Sequence, residues 1–357
     1  MLDVAVRNLG FRYAGGFALR DVTLAVAHST HTAVIGPPAC GASTLLRLIA
    51  GELKPASGDI ILGQRRVNDV KAAQRPLLLV TQALGIPGRW SVQHALVAAV
   101  RARTLDRQDR HREYTLAAEK WELLPLLGRR VDTLSATEST RVHLARIELL
   151  RPAILLADRL LVSPALADAF YRTMRILGTT VISTPSSLDE LAFTDQVVVL
   201  DEGAVVQQGN AAQVFARPES EAAAIATGAV DIVPVTIRGT TVESVIGAWE
   251  VDPPPFQGSG VALVRPADFA PARPGEDSDF VFGVEEAGFA DGRWIARGML
   301  TGGVTLRVEL PAGAAVHKGR LMALRYDPAR FRLLPRAMKP LQATVPTDVV
   351  PPMAETR

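Results

Sequence analysis

The sequence has few of the features that mark secreted or membrane-spanning proteins. Its 357 residues include one cysteine, Cys40, so an internal disulfide cannot form, which is typical of a reducing compartment. No uninterrupted apolar run approaches the roughly 20 residues of a membrane-spanning helix. The first residues, MLDVAVRNLGFRY, alternate between polar and apolar types, unlike a signal peptide. We therefore expect a soluble protein without a membrane span.

A strong excess of charge of one sign is also missing. The formal net charge is +2, from 39 basic and 37 acidic residues that are interspersed along the chain. Nucleic-acid-binding proteins usually show a basic face or stripe, so we expect no nucleic-acid partner. With 48% hydrophobic and 21% charged residues, the chain suits a globular protein of about two domains.

The stretch GPPACGAST at 36–44 is close to the phosphate-binding pattern G-x-x-x-x-G-K-[S/T]. In that pattern the glycines let the backbone wrap a phosphate, the lysine reaches the β- and γ-phosphates, and the hydroxyl holds Mg²⁺. Here Ala42 takes the place of the lysine, and Cys40 is either a redox-active thiol or, as its small size favours, a loop filler. The residues that match the pattern are Gly36, Gly41, Ser43 and Thr44.

The context of this loop is that of a phosphate site. The run TAVIG before it predicts a β-strand, and STLLRLIAGEL after it shows helical spacing. A strand, a glycine turn and a helix in this order are what a phosphate-binding loop requires. The apolar residues predicted on one side of the helix are Leu45, Leu46, Leu48, Ile49 and Leu53.

Alternating strands and helices follow. AILLAD (153–158) and TTVIST (179–184) predict buried parallel strands, and 196–209 predicts a hairpin that turns near Glu202-Gly203. Helical stretches are predicted at 107–127 and 138–150. This alternation favours an α/β domain in which helices cover a parallel sheet.

The pattern changes after about residue 216. Between 230 and 335 the sequence shows short strand-like runs separated by Gly- and Pro-rich turns, which predict an all-β domain, a small barrel. We therefore expect an α/β domain at 1–216, a linker at 217–229, a β domain at 230–336 and a Pro-rich, disordered tail at 337–357. The predicted strands are IVPVTIRG, TVESVIG, GVALVRP, DFVFGVEEAGF, GRWIARGML, VTLRVEL and RLMALRY.

Together these pieces resemble the ATP-binding subunits of bacterial ABC importers. LSATESTRVHLARIELLRP (134–152) resembles the family signature, AILLAD resembles the Walker B strand, and 181–218 resembles the H-loop region with its following hairpin. GVALVRPADF (260–269) resembles part of the accessory OB-like domain of importers for sugars, iron, polyamines and sulfate. The resemblance spans roughly residues 1–335. It implies a P-loop NTPase-like ABC domain followed by an OB-like domain.

The resemblance also implies that the catalytic groups are degenerate. The Walker A lysine is replaced by Ala42, the general-base glutamate after the Walker B strand by Arg159, and the H-loop histidine by Pro185. Since charge-assisted hydrogen bonds contribute about 1.5–3 kcal/mol, the lysine loss alone would weaken nucleotide binding about ten- to a hundredfold. We therefore expect weak or absent binding of ATP and Mg²⁺, and little or no hydrolysis.

Other functional positions are retained. Tyr13 matches the aromatic that stacks on adenine, although it also suits an ordinary strand, and Gln82 matches the Q-loop glutamine or a surface turn. Ser135 remains from the signature, whose glycines are replaced here. The family pattern assigns the Mg²⁺ positions to Ser43, Gln82 and Asp158, and Ser43 also suits a helix N-terminal hydroxyl.

The resemblance predicts a catalytically impaired subunit that assembles with an intact ATP-binding paralogue and with membrane permease subunits. Such a heterodimer would be cytoplasmic and peripheral to the inner face of the membrane. Trp90 is a candidate permease contact and suits a core or loop tryptophan equally well. A small ligand or a regulatory protein is a further candidate partner, at the β domain. Two alternatives stay open: an active homodimeric importer ATPase, and a non-transport sensing or docking module.

Overall fold

The computed structural model describes residues 2–81, 85–160, 164–228, 230–273, 275–290, 293–300, 303–311 and 316–336. The chain divides into two compact units, one ending at Val230 and the other beginning at Asp231. Gln82 and the tail predicted to be disordered, 337–357, lie outside the described residues.

The described residues of the first unit form two β-sheets. Its strands are β1 (Val4–Arg12), β2 (Ala18–Val26), β3 (His31–Ile35), β4 (Ser57–Leu62), β5 (Arg65–Arg66), β6 (Leu78–Thr81), β7 (Ile154–Asp158), β8 (Thr180–Thr184), β9 (Gln196–Asp201) and β10 (Ala204–Gly209). One sheet is antiparallel, in the order β2-β1-β4-β5. The other has the order β10-β9-β3-β8-β7-β6, with only the edge strand β10 antiparallel. The predicted parallel sheet is thereby confirmed.

Seven α-helices accompany these sheets in the described part of the first unit. They are α1 (Ala42–Ala50), α2 (Val92–Arg101), α3 (Arg107–Lys120), α4 (Ala136–Leu150), α5 (Pro164–Ile176), α6 (Ala211–Ala216) and α7 (Glu221–Ala226). None of the helices in the described ranges is both long and apolar enough to cross a membrane.

The core of the parallel sheet explains its strand sequences. Every residue of β3 and β8 is buried, as expected for strands covered on both faces. On one face, α1 packs with β1 and β2, and on the other, α2, α4 and α5 form a second apolar cluster. Since β3, β7 and β8 are parallel, their carboxyl ends meet at one edge of the sheet.

Helix α1 is shorter than predicted. It ends at Ala50 because Gly51 adopts a left-handed conformation (φ 83°), and its N–H bonds the carbonyls of Arg47 and Leu48. Leu53 therefore lies beyond the helix, although it still packs against the same apolar cluster. The predicted helix at 107–127 also ends early, at Lys120, because Glu122 has φ 56° and turns the chain away.

The second unit is all-β, as predicted, and the strands found in its described ranges form three antiparallel sheets. The strands are β11 (Asp231–Arg238), β12 (Thr241–Ser244), β13 (Gly247–Glu250), β14 (Gly258–Val264), β15 (Phe269–Pro271), β16 (Phe280–Gly283), β17 (Glu286–Ala290), β18 (Arg293–Leu300), β19 (Val304–Leu310), β20 (Leu321–Tyr326) and β21 (Arg332–Pro335). Their orders in the three sheets are β13-β12-β11-β14-β21, β15-β20-β16 and β17-β18-β19. One apolar cluster, which includes Trp249, Phe269 and Phe282, joins these sheets.

Two details of the second unit were not predicted. The run DFVFGVEEAGF is two strands in different sheets, β16 and β17, rather than one. The short strands β13, β15 and β21 were missed because runs of three or four residues carry little periodic signal.

Candidate functional site

The loop at 36–41 joins β3 to α1 at the carboxyl edge of the parallel sheet. A Cβ on Gly36 would lie 2.1 Å from the carbonyl oxygen of Leu200, so only glycine fits there. Gly41 precedes α1 with φ 106°, and no side chain caps the helix. The first N–H groups of a helix lack intrahelical partners and carry the positive end of its dipole, so this end of α1 favours an anion.

Two residues of this loop have special backbone properties. Pro38 has no N–H to donate, and Ala39 adopts a left-handed conformation (φ 65°). The N–H of Cys40 donates to the carbonyl oxygen of Pro37 at 3.0 Å. The Cys40 side chain is buried, and this burial raises the pKa of its thiol, a direction that favours the unreactive protonated form.

The opposite wall is built where β7 and β8 end side by side. Asp158 and Thr184 are register partners, and the Thr184 hydroxyl donates to Oδ1 of Asp158 at 2.5 Å. The same Oδ1 accepts a hydrogen bond from the Ser43 hydroxyl at 3.0 Å. Ser43 at the start of α1 and Asp158 at the end of β7 are thus brought together, as the Mg²⁺ assignment requires.

Arg159 follows Asp158 in a left-handed conformation with φ 51°. Its N–H donates to the carbonyl oxygen of Thr184 at 2.9 Å and to the Thr184 hydroxyl at 3.2 Å. The side chain is exposed and forms no ion pair with the residues that the structure describes. The backbone of Arg159 is therefore fixed, while its guanidinium remains available.

The segment after β8 offers few donors. Pro185 has neither an N–H nor a polar side chain. The Ser186 hydroxyl donates to Oε1 of Glu190 at 2.7 Å, and the backbone N–H groups of Ser186 and Ser187 donate to the same oxygen at 2.8 and 3.2 Å. The Ser187 hydroxyl donates to Asp189 at 3.2 Å. These donors are therefore directed back into the protein.

A buried network supports this segment from below. Glu190 also accepts a hydrogen bond from the Tyr171 hydroxyl at 3.0 Å, and Tyr171 stacks on His31 with ring centroids 4.1 Å apart. Burial raises the pKa of Tyr171 well above its usual value and lowers the pKa of His31 to about 4. His31 is therefore neutral near pH 7, and its two nitrogens lie 2.7 Å from the Ser183 hydroxyl and 3.2 Å from the Phe193 carbonyl oxygen.

These elements enclose a cavity of about 510 Å³. Among its described lining residues, Arg159 is the one charged side chain. The structure brings together most of the site residues predicted from the sequence, and adds Phe17, Thr184 and Ser186. The predicted residues that line the cavity are Tyr13, Gly36, Gly41, Ala42, Ser43, Thr44, Arg159 and Pro185.

Tyr13 lies in the turn after β1. Its ring meets that of Phe11 edge to face at 4.7 Å, and its N–H donates to the Phe17 carbonyl oxygen at 2.9 Å. Tyr13 and Phe17 both line the cavity, so an aromatic surface is available for a base. Gln82 lies outside the described residues.

Ser135 is not among the residues that line this cavity. It caps α4, where its hydroxyl accepts the N–H of Glu138 at 3.3 Å and its own N–H donates to the Glu138 carboxylate at 2.7 Å. Arg129 pairs with the same carboxylate at 3.1 Å. The N-terminus of the signature helix therefore already carries an anion from its own chain.

Sequence reasoning missed Thr184 and Glu190. Thr184 was identifiable, because it is the last residue of a predicted strand beside the one that ends in Asp158. Glu190 had no comparable signal, since a charged residue in a polar segment is usually exposed. Here it is buried because four hydrogen bonds satisfy it.

Comparisons with known proteins agree with this geometry. The family described as "ABC transporter" matches residues 19–160. The sn-glycerol-3-phosphate import ATP-binding protein UgpC of a Rhodopseudomonas palustris strain is 31% identical over 276 residues, covering 75% of this chain and 74% of that protein. UgpC 3 of Agrobacterium fabrum is 25% identical over 356 residues, covering 95% of this chain and 99% of that protein.

Solved structures share the fold over about three fifths of this chain. The ADP conformation of an ATP-binding cassette of an ABC transporter superposes with a TM-score of 0.51 at 20% identity, over 61% of this chain and 96% of that one. The structure of cbiO1 from Clostridium perfringens, part of an ABC transporter complex, gives a TM-score of 0.53 at 23% identity, over 60% of this chain and 90% of that one.

The fold and the loop thus define an ATP-binding cassette. The chain belongs to the family of ABC transporter ATP-binding proteins. Members of this family bind ATP with Mg²⁺ and work with membrane permease components. Part of that donor set is present here, since the Ser43 hydroxyl and the Asp158 carboxylate lie together beside the N-terminus of α1. Oxygen ligands of these two kinds suit Mg²⁺ bound along with a nucleotide.

Proposed function

We propose that this protein is the nucleotide-binding subunit of an ABC importer and that it hydrolyses ATP poorly or not at all. The observation that carries the proposal is the charge of the cavity walls. Ala42, Arg159 and Pro185 all line the cavity, at the positions where the family places its lysine, its general base and its histidine.

No substitute for the general base lines the described cavity. A positioned base contributes about 10²–10⁴ in rate, and arginine stays protonated, so Arg159 cannot accept a proton. The lining hydroxyls of Ser186 and Ser187 already donate to carboxylates. The losses act on one reaction and do not simply multiply, because catalytic groups that act together are non-additive. Each loss nevertheless lowers the rate.

We propose that the hydrolytic work is done by an intact ATP-binding paralogue in a heterodimer, which joins permease subunits at the membrane. The first unit retains its apolar core, and the damage falls on groups that act on phosphate. Trp90 is partly buried against that core, and its ring is tilted by 33° against that of His94, with centroids 4.4 Å apart. We propose that these two rings, beside the N-terminus of α2, contact the permease. Because the similar proteins are named as sn-glycerol-3-phosphate importers, that compound is the first solute to test.

A second cavity lies in the β unit. Its volume is about 540 Å³, and it is lined by both signs of charge, including Asp268, Arg325 and Arg330. We propose that a small polar ligand or a regulatory protein docks at it. A ligand that raises the melting temperature of the wild type should raise that of Arg325→Ala much less, and an equal rise would exclude this cavity.

The chemical part of the proposal is tested with the purified chain alone. The wild type and Asp158→Ala should show the same ATPase rate with Mg²⁺, because neither has a base. A turnover on the order of 1 s⁻¹ or more that Asp158→Ala abolishes would contradict the proposal and favour an active homodimer.

A further inference from the structure

The cavity has a cation on the wall opposite the one where its family carries it. Ala42 leaves the loop side without a charge, whereas Arg159 lines the cavity from the end of β7. Arg159 and the loop residues 36–41 line the same cavity, so the guanidinium faces the space that the loop also faces.

The other polar groups of the walls are largely occupied. The hydroxyls of Ser43 and Thr184 both donate to Asp158, and the Ser186 hydroxyl donates to Glu190. Hydroxyl protons that are bound to carboxylates are not available to an anion. The donors that remain include the N–H groups at the start of α1, the hydroxyls of Tyr13 and Thr44, and the guanidinium of Arg159. Of these, the guanidinium alone is charged, and it forms no ion pair among the described residues.

Arginine suits phosphate recognition. Its planar guanidinium presents five donors that match phosphate oxygens in pairs, and it keeps its charge at every physiological pH. The Thr184 hydrogen bonds hold the backbone of Arg159, including its left-handed φ of 51°. The Arg159 side chain therefore extends from a fixed backbone position next to Asp158, where Mg²⁺ and the phosphates of a nucleotide would meet.

We propose that Arg159 binds the terminal phosphate of a nucleoside triphosphate in this cavity and so replaces the missing loop lysine from the opposite wall. The inference rests on the proposed function, in which this cavity receives a nucleotide. When the nucleobase lies against Tyr13 and the phosphates lie along the start of α1, the terminal phosphate reaches Arg159. The same residue that prevents base catalysis then retains the triphosphate, and the subunit favours ATP over ADP.

The test measures the binding of Mg·ATP and Mg·ADP to the full chain by calorimetry. Arg159→Gln should weaken ATP binding about ten- to a hundredfold, the loss expected for charge-assisted hydrogen bonds. ADP binding should weaken at most about fivefold, as for a screened charge that makes no contact. Arg159→Lys keeps the charge but lacks the paired donors of the guanidinium. Its affinity for ATP should therefore lie between those of the wild type and Arg159→Gln.

The matched control is Arg172→Gln. Arg172 is exposed, pairs with Asp168 and does not line this cavity. The variant should bind both nucleotides as the wild type does. Glutamine meets the same left-handed strain at 159 as arginine, so melting temperatures should confirm that Arg159→Gln is folded.

The possible failures are distinguishable. If the wild type binds ATP and Arg159→Gln binds it equally well, the role of Arg159 is excluded while nucleotide binding stands. If the variant loses ATP and ADP alike, selectivity for the terminal phosphate is wrong. If the wild type binds neither nucleotide, both the inference and nucleotide binding fail. Turnover measured in the same samples reports separately on impaired hydrolysis.

Discussion

At the scale of single residues, Ala42 offers the most direct repair. The backbone around it keeps a glycine at each end of the loop, and α1 begins without a side-chain cap. Ala42→Lys should tighten ATP binding about ten- to a hundredfold through charge-assisted hydrogen bonds. It should not restore hydrolysis, because Arg159 and Pro185 remain. An unchanged ATP affinity, measured by calorimetry, would mean that the loop around Pro38 and Ala39 no longer has a shape that binds phosphate.

His31 gives a second prediction at this scale. Burial lowers its pKa from 6.5 to about 4, so between these values the unfolded chain binds a proton that the folded chain does not. Stability is therefore lost as the pH falls from about 6.5 to 4, by up to about 3 kcal/mol for this group. His31→Gln should flatten the dependence of the free energy of unfolding over this window.

The control for that measurement is His111→Gln, which replaces an exposed histidine of α3. Its stability curve should run parallel to that of the wild type. If His31→Gln and the wild type also run parallel between pH 6.5 and 4, the buried neutral state of His31 is wrong.

At the scale of elements, a substitution at the N-terminus of α4 tests the proposed heterodimer. In a heterodimer, Ser135 would face the nucleotide of the intact paralogue at the N-terminus of the helix, next to the Glu138 carboxylate that already lies there. Ser135→Arg should lower the ATPase rate of the assembled complex by about tenfold or more, since misplacement near a reacting phosphate is costly. Ala42→Asp, in the impaired site, should change it much less. Equal assembly is confirmed first. Unchanged activity in Ser135→Arg would contradict this arrangement.

The elements also show what the sequence can predict. Strand, loop and helix around 36–44 follow from local periodicity and glycine placement, and β7, β8 and the β9–β10 hairpin do as well. The ends of α1 and α3 depend on left-handed residues at Gly51 and Glu122, which periodicity does not reveal.

The site divides in the same way. A motif places Gly36 and Gly41, but the hydrogen bonds of Asp158 to Ser43 and Thr184 join three separate elements. Such contacts depend on the order of the strands in the sheet, which the local sequence of a single segment does not reveal. The availability of Arg159 likewise became visible only when its surroundings were known.

At the scale of the whole molecule, the apolar cores of the first unit lie mostly apart from the cavity, which lies at the carboxyl edge of the parallel sheet. Both faces of the parallel sheet are filled, and the β unit has its own apolar core. Polar substitutions in the cavity leave those cores intact. The proposed assembly role requires only that these cores hold the shape of the chain.

The most direct measurement of that central claim is the fate of bound nucleotide. The purified chain is mixed with Mg²⁺ and a stoichiometric amount of labelled ATP, at a concentration high enough for weak binding, and the nucleotide is recovered over time. We predict that it remains ATP, with the same time course for the wild type and Asp158→Ala. Conversion to ADP and phosphate within seconds by the wild type, but not by Asp158→Ala, would contradict the account.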